Sequence, residues 1–144
     1  MDQPVPLSQA PAELLASLST VQCGFPSPAE DHQAERLDVS RLLVRNAEAT
    51  FFCRVRGPSM RDAGIDDGDY VIVDRSVQAQ HGMIVLAVID GEFTIKRLFK
   101  RAGRVKLCAA NPTFSDIEIR DAQELVVWGV VTWTLKKHLH AVSH

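Results

Sequence analysis

From residue 50 onward, short apolar runs alternate with turns built from glycine, proline, asparagine and aspartate. Residues 50–56 form the first run, and residues 70–73 follow the turn-rich Asp66-Asp67-Gly68-Asp69. Residues 83–89 and 93–98 flank Asp90-Gly91, a strong short-range signal for a hairpin. Residues 104–108, the Asn111-Pro112 turn, residues 117–119 and a long apolar stretch at 125–133 complete the series. Strands at this spacing predict a compact, mostly β domain over residues 41–144. No internal repeat, low-complexity tract or helix-turn-helix pattern interrupts it.

Residues 1–40 read differently, as an arm. Prolines stand at 4, 6, 11, 26 and 28, and period-two alternation is scarce. Residues 11–18 predict a two-turn helix with Pro11 at its first position. A second short helix is expected over residues 39–45, with Asp38 as its N-cap. Between them, Pro26 and Pro28 favour an extended chain and make Gln22-Cys23-Gly24 an accessible, extended tripeptide. A protease cleft binds extended backbone; a plain proline-rich linker has the same composition.

Composition removes several classes of answer. The chain has 144 residues, 46% hydrophobic and 24% charged, which fits one soluble globular domain. Its apolar runs are far shorter than the roughly 20 residues that span a bilayer, and the Met1-Asp2-Gln3-Pro4 start lacks the basic residues of a secretory signal. Sixteen basic and eighteen acidic residues give a net charge of −2, so no overall attraction to nucleic acid or anionic lipid is expected. Cys23, Cys53 and Cys108 are odd in number, widely spaced and without histidines at metal-ligand intervals, which predicts a reduced, cytoplasmic protein with no metal or cofactor. Cys53 and Cys108 lie in strand-like runs and read as small core residues.

Candidate chemistry centres on Gly57-Pro58-Ser59-Met60, a serine on a sharp turn straight after a strand. A surface turn uses the same residues, so the reading depends on a base. A serine hydroxyl needs a partner to take its proton, a histidine or a neutral lysine. His81, in Gln80-His81-Gly82, is one candidate, and a solvated loop histidine is its ordinary alternative. Lys96 is the other. It lies in Phe93-Thr94-Ile95-Lys96-Arg97-Leu98, sharing a strand face with Thr94 and Leu98, where apolar and small neighbours would desolvate its ammonium and lower its pKa. An exposed lysine on a sheet is the alternative there.

Three motifs in order, Val21-Gln22-Cys23-Gly24-Phe25-Pro26-Ser27-Pro28, Gly57-Pro58-Ser59-Met60 with Gly64-Ile65 and Gly68-Asp69, and Asp90-Gly91-Glu92-Phe93-Thr94-Ile95-Lys96, resemble the UmuD family of SOS-response proteins. That family is related to the self-cleaving domain of the LexA repressor. The resemblance runs from about residue 21 to the last strand. It implies a LexA-like, curved β-sheet peptidase domain with a Ser-Lys dyad, Ser59 as nucleophile and Lys96 as general base. It further implies self-cleavage between Cys23 and Gly24, stimulated by RecA filaments on single-stranded DNA. The shortened product would be a homodimeric accessory subunit of an error-prone, UmuC-type Y-family DNA polymerase. Cys23 then matters for its size, and Gly24 for letting a cleft close on the backbone.

The turn departs from a simple oxyanion hole, because Pro58 has no N–H to offer. The Ser59 backbone N–H is the expected donor, with Met60 second. Other classes stay open at this point. A signal-peptidase-like Ser-Lys protease shares a serine followed by methionine but needs a membrane anchor. A LexA-type or phage-type repressor needs a DNA-binding module, for which 23 residues ahead of the cut are too few. A non-cleaving polymerase-interaction subunit would carry the same residues without using them.

Overall fold

The computed structural model describes residues 2–9, 20–22, 36–120 and 125–139. The expected helix over residues 11–18 lies outside them. Ten strands are described: β1 Val5–Pro6, β2 Thr20–Gln22, β3 Arg36–Asp38, β4 Thr50–Arg54, β5 Tyr70–Asp74, β6 Ile84–Ile89, β7 Glu92–Arg101, β8 Arg104–Cys108, β9 Ile117–Ile119 and β10 Leu125–Leu135. The expected helix after Asp38 is a single short one, Val39–Leu43.

Eight strands form one antiparallel sheet in the order β1-β4-β5-β10-β6-β7-β8-β9, and β2 pairs with β3 separately. The protein is mostly β, as its alternation predicts. The central strand is the last one. The first half of β10 pairs with β6 and its second half with β5, with register shifts at Val127/Gly129 and Val131/Trp133. Such bulges bend a strand and increase its twist, turning the two halves of the sheet about β10. Gly129 permits the bend. A Cβ there would lie 2.6 Å from Val73 Cγ1, so only a glycine lets β10 approach β5 this closely.

Local chemistry sets the hairpins. Asp90 and Gly91 both take positive φ, 49° and 80°, the geometry of a tight two-residue turn whose twist matches the flanking strands. Ile89 consequently faces Glu92 across the hairpin. Ala102 and Gly103 repeat the arrangement, which carries β7 on to Arg101, past the 93–98 span that alternation predicts. β1 has only two residues, too few for alternation to reveal it. Pro6 lacks an N–H and is tolerated because β1 is an edge strand.

Side chains gather into three packed clusters. The first joins Cys53, Val55, Met60, Ile65, Val71, Val73, Leu86 and Ile95. It contains the residue after Ser59 and the residue before Lys96. Cys53 is buried as expected, whereas Cys108 is only half-buried. Among the described residues, no helix is long and apolar enough to cross a membrane.

Candidate active site

The Ser59 turn is held at both ends. Beyond β4, the Val55 N–H donates to the Asp69 carbonyl at 2.8 Å, and the Val55 carbonyl accepts from Gly68 N–H at 2.8 Å. Gly57 follows with φ +84°, a conformation that costs glycine little, and its N–H donates to Asp67 Oδ1 at 2.7 Å. On the far side, the Met60 carbonyl accepts from Ala63 and Ile65 N–H groups, and the Met60 side chain is 2% exposed in the first cluster. Met60 is thus an anchor under the turn. Ser59, between these fixed points, is half-buried.

Lys96 reaches the same place from β7. Opposite it on β6 stands Val85, fully buried, and Lys96 itself is only 7% exposed. Its Nζ lies 3.0 Å from Ser59 Oγ, 2.7 Å from Thr94 Oγ1 and 3.1 Å from the Ile95 carbonyl oxygen. Burial lowers its pKa from the ordinary lysine value, because the ammonium loses water that these three oxygens replace only in part.

These three partners determine what deprotonation does. An ammonium has three N–H donors, one for each oxygen. A neutral amine has two donors and one lone pair. The Ile95 carbonyl can only accept, and the Thr94 hydroxyl can take the second N–H. Ser59 or Thr94 can then reverse its role and donate to the lone pair. Where Ser59 does so and Thr94 holds the second N–H, loss of one proton from Lys96 gives the arrangement that general-base activation requires.

His81 sits elsewhere in the network. Its Nδ1 accepts from the Lys100 N–H at 3.0 Å and its ring meets Phe99 edge-on, with centroids 5.2 Å apart. The structure brings Ser59 together with Lys96 and gives His81 other partners. Among the described residues, neither the Ser59 nor the Met60 backbone N–H donates to a protein acceptor. Cys23 and Gly24 lie outside the described residues. No group of three or more potential metal ligands occurs among the described residues.

Two participants were not singled out from sequence as parts of the site. Thr94, two residues before Lys96 on the same strand face, was visible as a small neighbour, and the period of the strand was signal enough to place its hydroxyl beside the amine. Asn111 carried only the signal of an Asn-Pro turn. It is 6% exposed and its Nδ2 donates to the Pro58 carbonyl at 2.9 Å.

Comparison with known proteins adds the family. Residues 15–132 match the family described as Peptidase S24-like. The chain belongs to this peptidase family. Among its relatives, the protein MucA of Salmonella typhimurium is 44% identical over 122 residues, covering 84% of this chain and 83% of MucA. The protein SamA of the same species is 40% identical over 131 residues, covering 90% of this chain and 91% of SamA. MucA and SamA are UmuD-family proteins, in agreement with the motifs around Cys23, Ser59 and Lys96. The LexA repressor of Bordetella avium is 35% identical over 136 residues, 89% of this chain but 63% of the repressor. Within this S24-like family the chain thus matches nearly the whole length of the MucA-type proteins and a smaller part of the repressor.

Proposed function

We propose that this S24-like chain is a UmuD-type SOS mutagenesis protein that cleaves itself between Cys23 and Gly24, using Ser59 as nucleophile and Lys96 as general base. The observation that carries the reading is the 3.0 Å approach of a buried, low-pKa lysine amine to Ser59 Oγ. In the first step, Ser59 Oγ attacks the Cys23 carbonyl carbon as its proton passes to Lys96 Nζ. The Ser59 N–H, with Met60 N–H second, stabilises the tetrahedral oxyanion. Collapse breaks the Cys23–Gly24 C–N bond, and Lys96 returns the proton to the Gly24 amine. Water then attacks the acyl-serine with Lys96 again as base, releasing residues 1–23 and restoring Ser59.

The pKa of Lys96 makes the activity conditional. Where the amine remains protonated it donates to Ser59 and cannot activate it, so a resting chain cleaves slowly. A RecA filament on single-stranded DNA speeds the reaction by favouring the arm docked in the cleft, where it further excludes water from Lys96, without supplying a catalytic group. The product, residues 24–144, acts in the cytoplasm as a homodimeric accessory subunit of an error-prone UmuC-type Y-family polymerase. The 83–91% coverage of MucA and SamA supports this over a repressor role.

The test is incubation of the full chain with RecA, a nucleotide and single-stranded DNA, followed by intact-mass analysis. Fragments corresponding to residues 1–23 and 24–144 are expected, and Ser59→Ala should yield none. Cleavage elsewhere, or continued cleavage in Ser59→Ala, overturns the assignment.

A further inference from the structure

The geometry points to Asn111 as a positioning residue that holds the Ser59 turn against Lys96. It rests on the proposed Ser-Lys activity and extends it to a segment, between β8 and β9, to which no role has been given. Three hydrogen bonds tie that segment to the turn. The Asn111 side-chain amide donates to the Pro58 carbonyl at 2.9 Å, the Ala110 N–H donates to the Ser59 carbonyl at 2.9 Å, and the Asp62 N–H donates to the Ala110 carbonyl at 2.7 Å. They hold the backbone at Pro58, at Ser59 and at Asp62, three residues on.

Asn111 is itself fixed before it acts. Its Oδ1 accepts from the Thr113 N–H at 3.1 Å and from Thr113 Oγ1 at 2.9 Å, while its carbonyl accepts from the Phe114 N–H at 3.0 Å. These bonds orient the amide so that Nδ2 faces Pro58. A side-chain amide, with both a donor and an acceptor end, is what this place requires. The need for it follows from Pro58. This residue has no N–H through which the turn could be tied down, so its carbonyl is the remaining backbone handle. Among the described residues, Pro58 O otherwise accepts only from Arg61 N–H, at 3.2 Å, within the turn itself. Asn111 thus adds to the Lys96–Ser59 contact a second side-chain link, this one to the turn's backbone, from the half of the sheet where β7 carries Lys96 and pairs with β8.

Asn111→Asp removes the donor to Pro58 and keeps the acceptor toward Thr113; because it also adds a negative charge, which by itself would raise the Lys96 pKa, the midpoint is read from the uncharged Asn111→Leu beside it. Self-cleavage of the full chain, without filament, is followed against pH beside wild type and Ser59→Ala, with thermal unfolding as a check on folding. The expected result is a fall of roughly 10- to 100-fold in the alkaline plateau rate, the scale of a small misplacement of reacting groups. In Asn111→Leu the pH midpoint should also move to alkaline values, because a loosened turn lets water reach Lys96. A merely structural role would lower the unfolding temperature and leave the midpoint where it is. Thr113→Val, at an exposed position that supports Asn111 from behind, should give a smaller loss of a few-fold with the same direction of midpoint shift.

A wild-type rate in a folded Asn111→Asp chain, or a wild-type midpoint in a folded Asn111→Leu chain, overturns the inference while leaving Ser59 and Lys96 in place. If either variant does not fold, an unchanged rate and midpoint in Thr113→Val overturns it. A wild-type chain that never cleaves, or a Ser59→Ala chain that does, overturns the Ser-Lys reading and this inference with it.

Discussion

Lys96 Nζ lies closer to Thr94 Oγ1, at 2.7 Å, than to Ser59 Oγ, at 3.0 Å. The threonine hydroxyl, two residues away on the same strand, aims the amine by occupying one of its N–H groups. Thr94→Val should therefore leave the fold intact and disturb the base. The ammonium needs acceptors more than the amine does, so removing one lowers the Lys96 pKa further and shifts the pH–rate midpoint to lower pH. The plateau rate should fall several-fold as the lone pair loses its direction. Cleavage rate measured across pH checks both; a midpoint moved to alkaline pH would count against the role given to Thr94.

Burying Lys96 also leaves a signature in stability. Its folded-state pKa is below the ordinary value of 10.5, so the unfolded chain binds more protons between the two values. Stability therefore rises with pH in that window, and below it the folded state bears the full cost of a buried ammonium. Lys96→Met should be more stable than wild type at neutral pH. The difference should shrink on going alkaline by up to about 1.4 kcal/mol per pH unit. Urea unfolding of both chains at a series of pH values measures it.

Gly129 and Val73 set the approach of β10 to β5. With a Cβ only 2.6 Å from Val73 Cγ1, Gly129→Ala must displace Val73 or the strand. A loss of about 1 to 3 kcal/mol is expected, the usual cost of overpacking a tight core. Gly129→Ala combined with Val73→Ala should recover part of it, and denaturant midpoints report both.

Cys53 should be an inert thiol. Burial first, and the nearby Asp2 charge second, push its pKa up to about 11, and its Sγ lies 2.9 Å from the Asp2 carbonyl oxygen. Alkylation of the folded chain near neutral pH should spare Cys53, and the same reagent in denaturant should modify it readily. Peptide mass mapping distinguishes the outcomes.

On the proposed self-cleavage, Cys23 would serve by its size and not by its reactivity. Cys23→Ala should cleave at a rate within a few-fold of wild type under filament stimulation, whereas a bulky Cys23→Trp should not. Loss of cleavage in the alanine variant would show that the sulfur itself takes part.

Much of the molecule was legible before any coordinates. Apolar runs bounded by Gly, Pro, Asn and Asp turns located the strands from β4 to β10, because strands in the core bury successive side chains while the turns between them need special backbone. Asp90-Gly91 marked its hairpin because few other pairs tolerate two positive φ values. Lys96 stood out because its strand neighbours are apolar or small. The edge strand β1 is too short to show a period, and Cys108 is less buried than its run suggests.

What the sequence determined by itself was local: which segments are strands, where they turn, and that a serine and a lysine suited to one chemistry lie 37 positions apart. Their meeting was decided by tertiary structure. Met60 and Ile95 enter the same core cluster, and that shared burial draws the residues beside them, Ser59 and Lys96, to 3.0 Å. The support from Thr94 and Asn111 belongs to the same level. A hydrogen bond such as Asn111 to Pro58 joins residues 53 positions apart, and no local pattern of polarity encodes it. It exists because the bent sheet brings the β8–β9 segment against the turn after β4.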